Sequence, residues 1–116
     1  MEDLKAVLLA FRGLVNEKET VRKLIKGWEP FIHVECVDRE ERYTLVVRDC
    51  ALQEVREGLA AHHHTITVRG PGQALVEVFD GKLNPGQAVI DGQMEVYGQD
   101  KDMVKLDALT LLLWET

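Results

Sequence analysis

The sequence predicts an α+β fold, and three observations support this prediction. Near the N-terminus, apolar residues recur at the spacing of an amphipathic helix. The middle of the chain contains runs rich in β-branched residues that alternate between apolar and polar side chains, which is typical of strands. The last third returns to short apolar helices separated by turn residues, so helices and strands are segregated along the chain rather than strictly alternating.

The N-terminal segment reads as two helices. Residues 3 to about 15 form the first, with Asp3 as its N-cap. Its apolar stripe consists of Leu4, Val7, Leu8, Phe11, Leu14 and Val15. After a polar break, we expect Thr20 to cap a shorter helix that Gly27 and Pro30 end. The stripe of that helix consists of Val21, Leu24, Ile25 and Trp28.

The central segment reads as strands. Residues 31–37 and 43–48 predict a hairpin around the charged turn 38–42, and 65–69 form another strand. Residues 51–58 fit either a helix or an edge strand. If positions summing to about 80 face each other, Cys36 lies opposite Thr44. Cys50 then lies about 20 Å away from Cys36 along the strands, and both are expected to be free thiols.

The last third contains three predicted helices and a strand. A turn at residues 70–72 opens a helix over 73–79. Asn84 and Pro85 begin a second helix, which extends to 91. A strand over 93–98 precedes a helix over 103–114, whose end is apolar on nearly every side. Such a helix must be buried on all sides or must cover something apolar that is not protein.

Length and composition indicate one globular domain. The 116 residues, treated as a single domain with residues 1–19 as a helical extension, include 46% hydrophobic and 29% charged side chains. These proportions are ordinary for a folded protein. The formal net charge of −6 argues against a nucleic-acid partner, because binding phosphates needs clustered Lys and Arg.

The sequence gives no targeting or membrane signal. The acidic start at Met1–Asp3 is unlike a signal peptide. No apolar run approaches the roughly 20 residues that span a bilayer, so we expect no stable membrane insertion. We therefore expect a cytoplasmic protein.

The residues of the last third carry a family resemblance. The strand Ile66–Gly70, the element Asp80–Ala88 and the strand Gly92–Asp100 resemble the sterol carrier protein type 2 family. In that family a strand ending in Gly precedes a helix, a Gly-basic-Leu-x-Pro element and a strand ending in Gly and Asp. The hairpin around residues 34–47 also matches, so the resemblance extends over about residues 20–113.

The resemblance implies an α+β domain with a five-stranded mixed sheet and helices packed over one face, enclosing an apolar tunnel. It also implies binding or transfer of a fatty acid, acyl chain, sterol-like or isoprenoid lipid without chemistry and without a cofactor. Burying methylenes is itself favourable, by about 0.8 kcal/mol each. The candidate tunnel residues are Leu75, Phe79, Val89, Met94, Val96, Met103, Leu106, Leu109, Leu113 and Trp114.

The same residues have plainer interpretations. The C-terminal leucines and Trp114 fit a closed core or a contact between two copies of the chain. Phe79 and the methionines fit an ordinary core. A lipid-binding protein is therefore weighed against a regulatory or assembly subunit that uses the apolar C-terminal helix to dock a protein partner or to form a homodimer.

Catalytic and metal-binding signatures are weak. The chain has no Ser, which excludes a Ser-centred triad. A thiol at Cys36 or Cys50 with His33 has no evident orienting group, although an enzyme acting on an acyl thioester is a third possibility. The three residues of the run His62–His64 cannot all face one metal ion, so a metal site would need His62 and His64 with a third ligand from another strand. No ligand spacing supports such a site, so we expect no metal and a solvated loop. Asp100 and Asp102 are expected to complement a helix dipole. The turn at 70–72 is a weak candidate for an anion.

Overall fold

The structure, a computed structural model, describes residues 3–114 and has the predicted α+β class. Five helices and five strands are formed by these residues, in the order α1 (Leu4–Glu17), α2 (Glu19–Leu24), β1 (Phe31–Cys36), β2 (Glu41–Arg48), β3 (Ala51–Glu57), β4 (Thr65–Gly70), α3 (Gly72–Phe79), α4 (Pro85–Ile90), β5 (Glu95–Tyr97) and α5 (Asp100–Trp114). The ambiguous segment 51–58 is thus an edge strand.

The five strands form one mixed sheet in the order β3-β2-β1-β4-β5. Neighbouring strands are antiparallel except β1 and β4, which are parallel. Alternate residues of each strand point toward the helices and form the main core. This core face consists of Ile32, Val34, Cys36, Tyr43, Leu45, Val47, Leu52, Ile66 and Val68. The predicted five-stranded sheet with helices over one face is confirmed.

The connection between β3 and β4, residues 58–64, crosses the other face of the sheet. The Thr44 hydroxyl donates to the carbonyl of Gly58 at 2.8 Å and accepts from the backbone N–H of Ala60 at 2.9 Å. The His33 ring nitrogen Nε2 lies 2.7 Å from the carbonyl oxygen of Ala60. These bonds satisfy Thr44, which has no exposed surface.

The predicted hairpin register is wrong by three residues. Cys36 pairs with Glu41 rather than with Thr44. The turn occupies only the four residues 37–40, with Glu40 at φ 53°, so β2 begins two residues earlier than predicted. Cys36 and Cys50 are free thiols, as expected.

The N-terminal helices differ from prediction at one cap. The Asp3 carboxylate accepts from the backbone N–H of Lys5 at 3.2 Å, as a cap does. Thr20 does not cap α2, because the helix begins at Glu19 and Lys18 occupies the extended cap position. Gly27, at φ 77°, follows the second helix and turns the chain.

Helix α1 packs on both α3 and the edge of the sheet. The rings of Phe11 and Phe79 meet edge to face, with centroids 5.0 Å apart. At the sheet edge, the Asn16 side chain bonds both the carbonyl and the N–H of Leu52, at 2.9 and 2.8 Å. Arg12 Nε donates to the same carbonyl at 3.1 Å. These contacts occupy part of a strand edge that would otherwise be available for pairing.

Candidate functional site

Helix α5 covers the sheet but is not buried on all sides. Leu106 and Leu109 are buried against the core, whereas Val104 is 69% exposed and Leu111 is 57% exposed. Of the two alternatives that the sequence left open for this helix, burial on all sides therefore does not hold. The apolar composition of the helix end predicts that it avoids water. It does not predict which side of the helix remains uncovered by the other elements.

A small interior space lies beneath α5. It has a volume of about 10 Å³, which is about enough for one water molecule. Its wall consists of Val68, Val78, Phe79, Pro85, Met94, Leu106 and Thr110, from β4, α3, α4, α5 and the segment before β5. A continuous apolar tunnel is not visible in residues 3–114, because side chains fill this region.

Three surface grooves surround the interior space. The C-terminal groove, of about 620 Å³, is lined by Gly81, Leu83, Asn84, Pro85, Ala108, Thr110, Leu111, Leu112 and Trp114. The β5 groove, of about 250 Å³, is lined by Pro85, Gly86, Val89, Val96, Met103, Val104, Leu106 and Asp107. The N-terminal groove, of about 440 Å³, is lined by Asp3, Ala6, Val7, Ala10, Phe11, Leu14, Phe79, Asp80 and Trp114.

Each groove shares a wall residue with the interior space. Pro85 and Thr110 separate it from the C-terminal groove, and Pro85 and Leu106 separate it from the β5 groove. Phe79 separates it from the N-terminal groove. One layer of side chains therefore stands between the interior and three apolar openings.

The candidate tunnel residues fall into three groups. Val89, Val96, Met103 and Leu106 line the β5 groove together. Trp114 lines the other two grooves, Phe79 the N-terminal groove and the interior, and Met94 the interior. Leu75 and Leu109 belong to the buried core, against which Leu113 packs with part of its surface exposed.

Sequence reasoning did not single out several groove residues. Asn84 and Pro85 were correctly predicted as the cap and first residue of α4, and the Asn84 side chain accepts from Gln87 N. Because the cap explained both residues, nothing in the sequence indicated that they also line the C-terminal groove. Ala108 and Thr110 gave no signal, because small or polar residues on a helix do not indicate a groove.

A buried carboxylate anchors the beginning of α5. Asp102 is 1% exposed and accepts from Trp28 Nε1 and from His64 Nε2, each at 2.9 Å. Burial raises the pKa of Asp102, but the hydrogen bonds from Trp28 and His64 outweigh it, so the net pKa is below the usual value. Lys105 adds a bond to the carbonyl of Leu24 at 3.2 Å.

Two expectations are corrected at this anchor. Asp102 does more than complement the helix dipole, since it joins α5 to the segment after α2 and to the residue before β4. His64 is not in a solvated loop, because its side chain is only 29% exposed and is paired with Asp102. Neither contact could be predicted from spacing, because the partners are far apart in the sequence.

The beginning of α3 is already occupied by a side chain of the chain itself. Asp38 Oδ1 accepts from the backbone N–H of Gly72 at 2.9 Å and from Cys36 Sγ at 3.2 Å. These bonds, with the N–H of Gly72 first, lower the pKa of Asp38. The N–H that the turn at 70–72 offers is therefore not available to an external anion.

The cysteine–histidine pair considered from the sequence is not assembled. Cys36 is buried on the core face, and burial is the main cause that raises the pKa of its thiol. His33 lies on the opposite face, against Ala60. Among residues 3–114, no group of three or more metal-ligating side chains is close enough to hold an ion. Within the same range, every helix is too short or too polar to cross a membrane.

Comparisons with known proteins give one family match. The family described as alkyl sulfatase C-terminal matches residues 23–112. No curated protein matches the chain.

Solved structures share the fold. The stereoselective inverting sec-alkylsulfatase Pisa1 from Pseudomonas sp. is 21% identical with a TM-score of 0.63, over 82% of this chain and 14% of its own. Palmitated SCP2L2 from Aedes aegypti, a sterol carrier protein 2-like protein, is 14% identical with a TM-score of 0.64, over 94% of this chain and 95% of its own. A conserved hypothetical protein from Thermus thermophilus is 18% identical with a TM-score of 0.68, over 99% of this chain and 87% of its own.

These matches establish the fold and the family. The predicted resemblance to the sterol carrier protein type 2 family is confirmed by structures that match nearly the whole chain. The chain spans 14% of the length of the alkyl sulfatases it matches. Because the family match extends over residues 23–112, well over half of the chain, this protein belongs to the alkyl sulfatase C-terminal family.

Proposed function

We propose that this domain binds a hydrophobic ligand without catalysing a reaction on it, between α5 and the sheet. The observation that carries the proposal is the interior space whose walls are shared with three apolar grooves. Apolar concavities with few polar groups are typical of sites for small apolar molecules. The proposal is also supported by the solved structure of palmitated SCP2L2 from Aedes aegypti, a protein of this fold that carries a fatty acyl group.

Binding in this proposal requires movement of side chains or of α5. The interior space of about 10 Å³ is too small for a chain of methylenes. The C-terminal groove of about 620 Å³ is large enough for one. A ligand therefore lies first in the groove, and its chain enters the interior as Pro85 and Thr110 separate. The candidate tunnel residues remain part of this proposal, as do the acyl, sterol-like or isoprenoid nature of the ligand and a cytoplasmic location.

The first test is native mass spectrometry of the purified protein, followed by extraction of any organic ligand. We expect one lipid or acyl compound per chain, or tight binding of the neutral dye N-phenylnaphthylamine to the empty protein. Protein that carries no ligand and binds neither the dye nor fatty acids would contradict the proposal.

A matched pair of variants locates the site. Ala108→Trp places an indole in the C-terminal groove, whereas Ala61→Trp makes the same change at an exposed position on the opposite side of the sheet. We expect the first variant to weaken dye binding by about tenfold or more and the second to leave it unchanged. Equal effects would show that the dye binds elsewhere.

A second function is favoured by the exposed apolar residues of α4 and α5. Ile90 is 79% exposed, Val104 69% and Leu111 57%. Exposed apolar side chains are common where proteins associate, so the alternative function is contact of α4 and α5 with a second copy or a protein partner. A mass that rises with protein concentration and does not respond to lipid would favour this function, and Leu111→Glu would then restore the monomer.

A further inference from the structure

The indole of Trp114 stands at the boundary between the two largest grooves. It lines both the C-terminal and the N-terminal groove. One face of the ring lies against Gly81, where a Cβ atom would come within 2.7 Å of Cε2. Gly81 has φ 88°, a conformation that glycine adopts readily. Because glycine has no side chain, the indole ring can occupy the space beside this backbone.

The polar atom of this ring is buried and has no partner. Within residues 3–114, Trp114 Nε1 is shielded from solvent and makes no hydrogen bond. The other tryptophan, Trp28, donates its Nε1 to Asp102. Buried indole N–H groups normally have an acceptor, because leaving one unpaired is costly. Within the same residues, Asp80 Oδ2 in the N-terminal groove is also buried without a hydrogen bond. A ligand bound in the grooves that Trp114 lines would supply the missing acceptor.

The surrounding charges restrict what that acceptor is. Among the described residues, the charged side chains that line these two grooves are Asp3 and Asp80. Lys82 is near and forms an ion pair with Asp80, with Nζ 3.5 Å from Oδ2, but this oxygen accepts no hydrogen bond from the described residues. Asp3 and Asp80 both line the N-terminal groove, and Asp80 directly precedes Gly81 in the chain, so an anionic head group beside Gly81 would approach the Asp80 carboxylate, which is unfavourable. A neutral acceptor has no such penalty.

The two ends of α5 also differ. Its first turn is fixed by the bonds of Asp102 with Trp28 and His64. Near its end, the corresponding contact is a bond from the Lys18 ammonium to the carbonyl of Leu112. The charged contact at the beginning is buried, whereas a partly exposed lysine makes the contact at the end. The end of the helix that carries Trp114 is thus the easier one to displace.

From these observations we infer that the ligand enters at the Trp114 end of α5 and that Trp114 Nε1 donates a hydrogen bond to a neutral head group, such as an ester carbonyl or an alcohol. This inference rests on the proposed function and names the class of ligand: an uncharged amphiphile rather than a fatty acid anion or a sulfate ester. The apolar chain lies in the C-terminal groove, and the head group lies beside Gly81.

The test compares three ligands of equal chain length, dodecane, methyl dodecanoate and dodecanoate, by displacement of N-phenylnaphthylamine from the wild type and from Trp114→Phe. Phenylalanine keeps an aromatic ring and removes the donor. We expect the wild type to prefer the ester to the anion. We expect Trp114→Phe to lose about three- to tenfold affinity for the ester while its affinity for dodecane changes little.

Trp28→Phe is the control, because it removes an indole N–H that is engaged away from the grooves. It should leave the ratio of ester to dodecane affinity unchanged. A preference for dodecanoate, or an equal loss for ester and dodecane in Trp114→Phe, would overturn the inference while leaving the proposed function intact. Absence of binding by all three ligands and by the dye would instead contradict the proposed function itself.

Discussion

Trp28 Nε1 donates to Asp102 Oδ1 at 2.9 Å, although 74 residues separate the two in the sequence. The second carboxylate oxygen of Asp102 accepts from His64. One buried carboxylate thus connects the segment after α2, the residue before β4 and the first turn of α5. This connection fixes the position of the first turn of α5, the helix that lines the grooves.

Removal of this carboxylate should destabilise the whole domain. In Asp102→Ala, two hydrogen bonds to a charged group are lost and the buried indole N–H of Trp28 is left unpaired. We expect the free energy of unfolding to fall by about 3 kcal/mol, measured by urea denaturation. Asp100→Ala, an exposed change in the same turn, is the control and should cost well under 1 kcal/mol. A similar small loss for both variants would show that the anchor contributes little.

The Asp102 carboxylate also predicts that the stability of the fold depends on pH in the acidic range. The folded-state pKa of Asp102 lies below its usual value of 3.8. Its ionised form therefore stabilises the fold fully above about pH 4, and that contribution is lost as the pH falls through the folded-state pKa. The stability difference between wild type and Asp102→Asn should shrink between pH 5 and pH 2, which urea unfolding at a series of pH values measures. A difference that stays constant over this range would contradict the assignment, and Asp100→Asn controls for surface charge.

Alanine substitutions at two glycines with positive φ distinguish the cost of backbone strain from the cost of a collision with a side chain. Gly81 and Gly92 have φ of 88° and 75°, but only at Gly81 would a Cβ meet the Trp114 ring. Gly92→Ala should cost about 1 kcal/mol from strain alone, and Gly81→Ala should cost more. With Trp28→Phe as background, Trp114 emission should shift to the red in Gly81→Ala only, because the displaced ring becomes solvated. Identical emission in both variants would place the ring elsewhere.

Asn16 offers a test of how α1 is attached. Its amide bonds both backbone groups of Leu52, so Asn16→Ala removes two hydrogen bonds at a partly buried strand edge. We expect a loss of about 1–3 kcal/mol in the free energy of unfolding. Faster amide hydrogen exchange should accompany it at Leu52, measured by NMR. Glu17→Ala, an exposed neighbour, should change neither quantity, and unchanged exchange at Leu52 in Asn16→Ala would contradict these bonds.

Local signals in the sequence predicted most of the elements but not their arrangement, and they left residues 51–58 open between a helix and an edge strand. Asn84 and Pro85 predicted the start of α4 because a cap and a first-turn proline act within one turn of helix. The hairpin register was wrong because it depends on how the backbone turns at Glu40. The pairing of His64 with Asp102 depends on the completed fold and has no local signal. The all-round apolar end of α5 suggested an apolar site, but it did not indicate that Leu111 faces solvent.

The parallel pairing of β1 with β4 has a consequence for how the chain folds. Phe31 lies beside Thr65, so the two central strands meet only after the whole β2–β3 hairpin and the crossing segment 58–64 have been passed. The hairpins close over short stretches of chain, whereas the central pair must first lose the freedom of a long loop. Such non-local contacts slow folding. We expect β4, β5 and the helices that follow to join a preformed β1–β2–β3 unit, so the half of the protein that forms the C-terminal and β5 grooves assembles last.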